Sequence, residues 1–226
     1  ALRRALTNWS DEELLRLIDV PLNPVSWEAI LDPLPTQLSY ATAIGVTDDP
    51  RELRGGIANQ VYLSLANLIS EAETELLLVS AYFVPNVDQI KELRALTDRG
   101  IRVRVLTNSL ASNNHSIVNS QYKRWREPLL DAGVELYEMR HDPADVQFIN
   151  TQPVVAESST LHTKAVVVDG RRLYIGALNL SPRGLRINAE NGLMIDDAAF
   201  GAEIMALFEQ QLEPQNAWRL ERDDDG

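Results

Sequence analysis

From about residue 56 onward the apolar positions of this chain fall into segments that alternate between two periods. Ile57, Val61, Leu65, Leu68 and Ile69 recur at intervals that place them on one side of a helix spanning 56–72. The segment ELLLVS at 75–80 holds a short unbroken apolar run, Leu76 to Val79, which predicts a buried strand. A second helix is expected over 87–98, entered through Asn86 as N-cap. RVRVLT at 102–107 reads as the next strand, 117–132 as a helix and 134–138 as a strand. Three short strands come next at 163–168, 172–176 and 192–195, and a closing helix at 198–212. Strand, helix, strand in succession implies an α/β domain with a mixed, mostly parallel sheet flanked by helices.

The first fifty residues lack this rhythm. Ser10 opens a capping box with Glu13, ahead of Leu14, Leu15, Leu17 and Ile18, and predicts a short helix. Five prolines then fall between Pro21 and Pro50, the signature of an extended connector. The organisation expected is therefore an N-terminal helix and proline-rich connector over 1–50 and one α/β domain over 51–226. The segment from His141 to Leu161 reads as a loop, and the tail from Asp223 to Gly226 as frayed.

Composition narrows the function classes. With 226 residues and 45% hydrophobic content the chain can bury a full core. Its longest apolar stretch, Leu76 to Val84, is strand-sized, so no membrane span is expected. The N-terminus has no apolar core or small-residue cleavage site, hence no expected signal peptide, and a start without Met suggests a chain cut from something longer. There are no cysteines, which excludes disulfides, thiolate nucleophiles and Cys-based zinc sites. A net charge of −12 argues against broad nucleic-acid binding.

The chemistry concentrates in LHTKAVVVDGRRLYIGALNLSPRGLRINAENGLMI. His162 and Lys164 are two apart, so on a strand their side chains leave the same face. An imidazole can attack phosphorus or protonate a leaving alkoxide. Lys164 supplies a point charge for nonbridging oxygens, and Asn179 a neutral donor to them. Glu190 is placed to hold the second imidazole nitrogen and set its tautomer. Asp169, at the strand end, suits a structural role better than a catalytic one. Gly176 permits a close backbone approach. Lys164, Arg171, Arg172, Arg183 and Arg186 outnumber Asp169 and Glu190 here, which suggests a locally positive surface on an acidic protein. Arg171 and Arg172 also read as turn residues, which leaves Arg183 as the better phosphate ligand. Tyr82, Phe83, Pro85, Asn108 and Ser109 follow strand ends, where α/β folds place ligands, although packing accounts for them equally well. His115 and His141 read as solvated loop residues, and the Asp196–Asp197 pair as a helix N-cap.

His162, Lys164, Asp169, Gly176 and Asn179 stand in the pattern H-x-K-x4-D-x6-G-S-x-N, with Ala177 at the serine, and Asn188 and Glu190 match a downstream N-x-E. This resembles the signature of the phospholipase D superfamily. YATAIGVTDDP, LLLVSAYFVP, RGIRVRVLTNSLAS and LLDAGVELYE are similar to the second half of bacterial phosphatidyltransferases of the cardiolipin synthase type, the cardiolipin synthase C branch in particular. The resemblance implies a phospholipase D-like fold. It also implies phosphatidyl transfer or phospholipid hydrolysis through a phosphohistidine, without metal or other cofactor. Catalytic roles would fall to His162, Lys164, Asp169, Asn179 and Glu190, with Gly176, Arg183 and Asn188 at the phosphate. In that family two motifs meet in one site, so the implied partners are a phospholipid and a second half-site, from an N-terminal half or a dimer mate. A cytoplasmic or peripheral inner-membrane location is implied by the same likeness. Two departures are Ala177, which lacks the phosphate-holding hydroxyl, and Asn119, where many relatives carry a nearby histidine. A homodimeric single-motif nuclease or phosphodiesterase, and a non-catalytic scaffold half, are the rival readings.

Overall fold

A computed structural model describes residues 41–51, 59–113, 116–145 and 159–222. The expected N-terminal helix, most of the proline-rich connector, His115, much of the 141–161 loop and the acidic tail lie outside them. All described strands and helices belong to one unit, Tyr40–Ala144 with Ser158–Gly226. Among the described residues no helix is long and apolar enough to cross a membrane.

Eight strands form one sheet: β1 (Ala43–Thr47), β2 (Glu75–Ser80), β3 (Arg102–Asn108), β4 (Glu135–Met139), β5 (Lys164–Val168), β6 (Arg172–Gly176), β7 (Asn191–Asp196) and β8 (Ala217–Arg219). Their order across the sheet is β1-β7-β6-β5-β2-β3-β4-β8. The helices among the described residues are α1 (Gln60–Ser70), α2 (Val87–Asp98), α3 (Ser116–Lys123), α4 (Arg126–Asp131), α5 (Pro182–Arg186) and α6 (Ala198–Gln211). Local chemistry sets several boundaries. Asn86 caps α2 in a full capping box with Gln89, and Asp197 caps α6 by accepting from the Phe200 amide. The helix expected over 117–132 divides at Arg124–Trp125. Pro128 accounts for the break: its ring would clash with the carbonyl four residues back, whereas in the first turn of α4 its missing N–H costs nothing.

The sheet is mixed, but the expectation of a mostly parallel one is corrected. Only β2–β3 and β3–β4 run parallel among the described pairings; β1–β7, β7–β6, β6–β5, β5–β2 and β4–β8 are antiparallel. The reason is connection length. Three residues join β5 to β6, too few for the crossover that parallel neighbours need. Asp169 and Gly170 take φ values of 53° and 61°, the left-handed pair that an Asp-Gly hairpin turn requires. Residues 43–47 also differ from the connector reading, since they form an edge strand paired to β7.

Both faces of the sheet are covered. Leu76, Leu78, Val103, Val105, Val166 and Val168 alternate along β2, β3 and β5 and join one core with residues of α1 to α4. Arg104, on the opposite face, reaches Met205 and Glu209 of α6 and Glu75 beside them. The reversed direction of β5 brings its start to the end of β2, with Lys164 opposite Ser80.

Candidate active site

Lys164 is buried at the first position of β5, where a lysine needs a partner. Its ammonium donates to the carbonyl oxygen of His162 at 2.6 Å, so the charge sits directly beneath the histidine. Burial pushes its pKa down, and Glu190 nearby opposes that shift. The His162 imidazole is exposed. Lys164 is the main cause of a lowered pKa there, with burial adding to it, and the neutral ring is favoured.

The remaining groups arrive at the same sheet edge. Asn179 lies three residues beyond β6, and its side-chain oxygen accepts from the Tyr82 amide at 3.3 Å. Leu180 is next, its N–H donating to Ser80 Oγ and its carbonyl accepting from Val84. Glu190 precedes β7 and is buried. Its carboxylate accepts from Asn188 Nδ2 at 3.1 Å, and Asn188 in turn accepts from Arg183 Nε at 3.3 Å. Burial pushes the Glu190 carboxyl up; Asp48 adds to the shift, while Asn188 and Lys164 hold it down. Among the described residues Glu190 makes no hydrogen bond to the His162 ring; its carboxylate faces Asn188 and the field of Lys164 instead. His162, Lys164, Asn179, Arg183, Asn188 and Glu190 are thus brought to one edge.

Asp169 is not among them. It lies at the other end of β5, five residues and roughly 16 Å from Lys164. Its carboxylate accepts from the backbone amides of Glu73, Thr74 and Glu75, from the Thr74 hydroxyl and from Arg172. Burial is the largest single influence and pushes this carboxyl up, but the hydrogen bonds from Thr74, Glu75 and Glu73 together outweigh it and hold the pKa at about 2. It fastens the β5–β6 turn to the start of β2. Arg171 and Arg172 are at this same distant edge, paired with Asp196 and with Glu71 and Asp169. The positive surface expected around the motif is therefore reduced to Lys164, Arg183 and Arg186. Gly176 faces protein. A Cβ there would collide with the Asn191 carbonyl and the Tyr174 hydroxyl, so its role is to let β6 close onto β7. Ala177 continues that closure, donating its N–H to Asn191.

Two further residues act as positioning residues: Asp48, which the sequence does not single out, and Asn108, which it marks only by its place at a strand end. Asp48 is buried and accepts from the Glu190 amide at 2.9 Å and the Val61 amide at 3.0 Å, while its own N–H donates to the Glu190 carbonyl. Asn108, at the end of β3, donates to the carbonyls of Ala81 and Leu161 and accepts from the Leu161 amide and the Ser112 hydroxyl. Its amide group is fully engaged in holding the residue before His162. A substrate contact would have to break these bonds, so Asn108 is a positioning residue and not a ligand.

The model of the cardiolipin synthase PLD-like domain family matches residues 65–212, well over half of the chain. The chain belongs to that family. Cardiolipin synthase C of Escherichia coli is 30% identical over 189 residues, which cover 82% of this chain and 40% of that protein. The chain thus spans less than half the length of this relative. Among solved structures, phosphatidylserine synthase from Haemophilus influenzae shares the fold with a TM-score of 0.57 and 17% identity, over 79% of this chain and 40% of that one. Nuc, a phospholipase D family member from Salmonella typhimurium, matches with a TM-score of 0.54 and 15% identity, over 81% of this chain and all of Nuc. The phospholipase D-like fold expected from the motif is the fold observed.

Proposed function

We propose that this chain supplies one half-site of a phosphatidyltransferase or phospholipid phosphodiesterase that works through a phosphohistidine. The observation that carries this reading is the convergence of His162, Lys164, Asn179 and Glu190 on one sheet edge, with the imidazole uncovered. In the first step a neutral His162 ring nitrogen bonds to phosphorus and the alkoxide departs, taking a proton from the histidine of the complementary half-site. In the second, an alcohol or water attacks, its proton passes to that histidine, and the nitrogen–phosphorus bond breaks. The opposite assignment exchanges the two histidines. Lys164 stabilises the charge gathering on the nonbridging oxygens, in a site where burial strengthens each such interaction. Asn179 and Arg183 add donors at the phosphate.

The cardiolipin synthase relatives support a lipid donor and a glycerol-bearing lipid acceptor, with the second half-site coming from a longer parent chain and the protein meeting the membrane peripherally. A second reading, a homodimeric single-motif phosphodiesterase, draws on the match to the whole of Nuc; the acidic charge weighs against a nucleic-acid substrate. Mass spectrometry of lipids exposed to the full-length protein, with His162→Ala as control, tests the choice. A product bearing two phosphatidyl groups supports the transferase, phosphatidic acid alone supports hydrolysis, and identical products from the control remove His162 from the chemistry.

A further inference from the structure

Beneath the catalytic edge, between α1 and α2, lies a cavity of about 430 Å³. That is within the range of small-molecule sites, and the space is open to solvent on one side. Its walls are largely hydrocarbon: Leu65 and Ile69 from α1, Leu93 and Leu96 from α2, and Phe83 and Leu180 from the segments after β2 and β6. Ala66 and Ala95 also line it, and their small side chains leave the space between the two helices open. Ala95 is exposed and Ala66 half-buried, so both stand at the rim.

The cavity and the site share a face of the sheet. Along β2 the residues on that face are Leu76, Leu78 and Ser80; Leu78 lines the cavity and Ser80 lies opposite Lys164. Two residues of strand, roughly 7 Å, separate them. The connection is repeated outside the strand. Asn179 is at the site and Leu180 lines the cavity; Tyr82 donates to Asn179 and Phe83 lines the cavity. Polar residues also line it: Tyr62, Asn67 and Ser70 from α1, and Gln89, Glu92 and Arg99 on and just after α2. The Tyr62 hydroxyl lies within the electrostatic reach of Arg186 and Glu92 and bonds to Gln89. A site thus built has hydrocarbon walls within, polar side chains along its mouth and ends, and a junction with a phosphate-handling edge. That is the pattern of an amphiphile whose charged end sits at His162 and Lys164.

We infer that the cleft between α1 and α2 receives an acyl chain of the glycerophospholipid whose phosphodiester is handled at His162. The inference rests on the lipid reading given above and adds the place where the lipid is held. It also distinguishes the lipid from a nucleic-acid or soluble diester, neither of which fills a hydrocarbon-lined cleft.

The test uses the full-length protein with two substrates, phosphatidylglycerol in detergent micelles and bis(4-nitrophenyl) phosphate, a soluble diester without acyl chains. Ala66→Trp and Ala95→Trp close the cleft from the rim. Each is expected to raise KM for phosphatidylglycerol roughly tenfold, the effect of losing burial of about two methylenes, while soluble-diester cleavage changes by less than about twofold. Fluorescence of cis-parinaric acid gives a readout independent of turnover. Saturable binding is expected in the wild type and in His162→Ala and is expected to be lost in both tryptophan variants, whose melting curves report whether they fold. No saturable binding by the wild type overturns the inference, even if neither variant folds. So do folded variants that keep both the fatty acid and the KM, or that alter only oligomeric state. If the wild type cleaves neither substrate, the reading of the His162 site fails, whereas the fatty-acid measurement still decides the cleft.

Discussion

Replacing Asp169 by Asn separates the two halves of the H-x-K-x4-D motif. The carboxylate is pushed up by burial, but hydrogen bonds from the Glu73, Thr74 and Glu75 amides and the Thr74 hydroxyl outweigh that and hold its pKa at about 2 against an ordinary value of 3.8. It also accepts from the Arg172 guanidinium. At about 1.36 kcal/mol per pH unit, the native state favours the ionised form by roughly 2.5 kcal/mol. Asparagine keeps one acceptor oxygen but turns an NH2 group toward Arg172 or the Glu73 amide, so about 2 kcal/mol of stability should be lost at pH 7. For a chain of this size that is roughly 4–8 °C in Tm. Because the folded pKa is depressed, the contribution is complete above the unfolded value near 3.9 and disappears as pH falls through about 2. The gap between wild type and Asp169→Asn should therefore be widest near neutrality and narrow between about pH 4 and 2. Urea unfolding across that range, followed by circular dichroism, measures it. Turnover assayed well below Tm should change by less than about threefold, since Asp169 lies at the far end of β5 from Lys164. An unchanged Tm with turnover reduced by about a hundredfold would refute this reasoning and return Asp169 to the chemistry.

Three further outcomes are expected. Lys164→Met removes the main cause of the lowered His162 pKa, so that pKa should rise toward about 6.5; the acid limb of the pH–rate profile for phosphoenzyme formation should move upward with it, alongside a fall in kcat. Asp48→Ala leaves the Glu190 and Val61 amides without their acceptor and should cost about 1–3 kcal/mol for each amide that stays dry, read by denaturant midpoint. Ala177→Ser offers the phosphate one more donor and should raise kcat/KM about three- to tenfold, and a loss of activity instead would mean that the β6–β7 closure has no room for the hydroxyl.

Those features of the sequence that were legible depend on neighbours a few residues apart. Leu76 to Val79 is an unbroken apolar run because β2 is central and covered on both faces, and Glu75 and Ser80 bound it. Asn86 and Gln89 announce α2 by satisfying each other's backbone donors within one turn. The two-residue spacing of His162 and Lys164 predicts a common face on a strand, but β5 begins at Lys164 and the exposed His162 precedes it. Gly170 carries part of the turn after β5 in its own conformational freedom, while the left-handed backbone at Asp169 beside it is seen only in the structure. The legible terms are local, and local pattern suffices to read them.

The tertiary structure alone decided which groups meet. The antiparallel run of β5 against β2 takes the start of β5, next to His162, to one edge and Asp169 to the other. Arg171 and Arg172, counted in the sequence with the phosphate-facing cations, find carboxylates at the far edge. Edge strands β1 and β8 are defined by partners at β7 and β4 rather than by any strong period of their own. Asp48 and Asn108 are single polar residues without a motif, and they matter because their hydrogen-bond partners lie 142 and 53 residues away in the chain. Periodicity reports the faces and ends of each element, but the bonds that align one element's end with another's span the fold and are formed only when it closes.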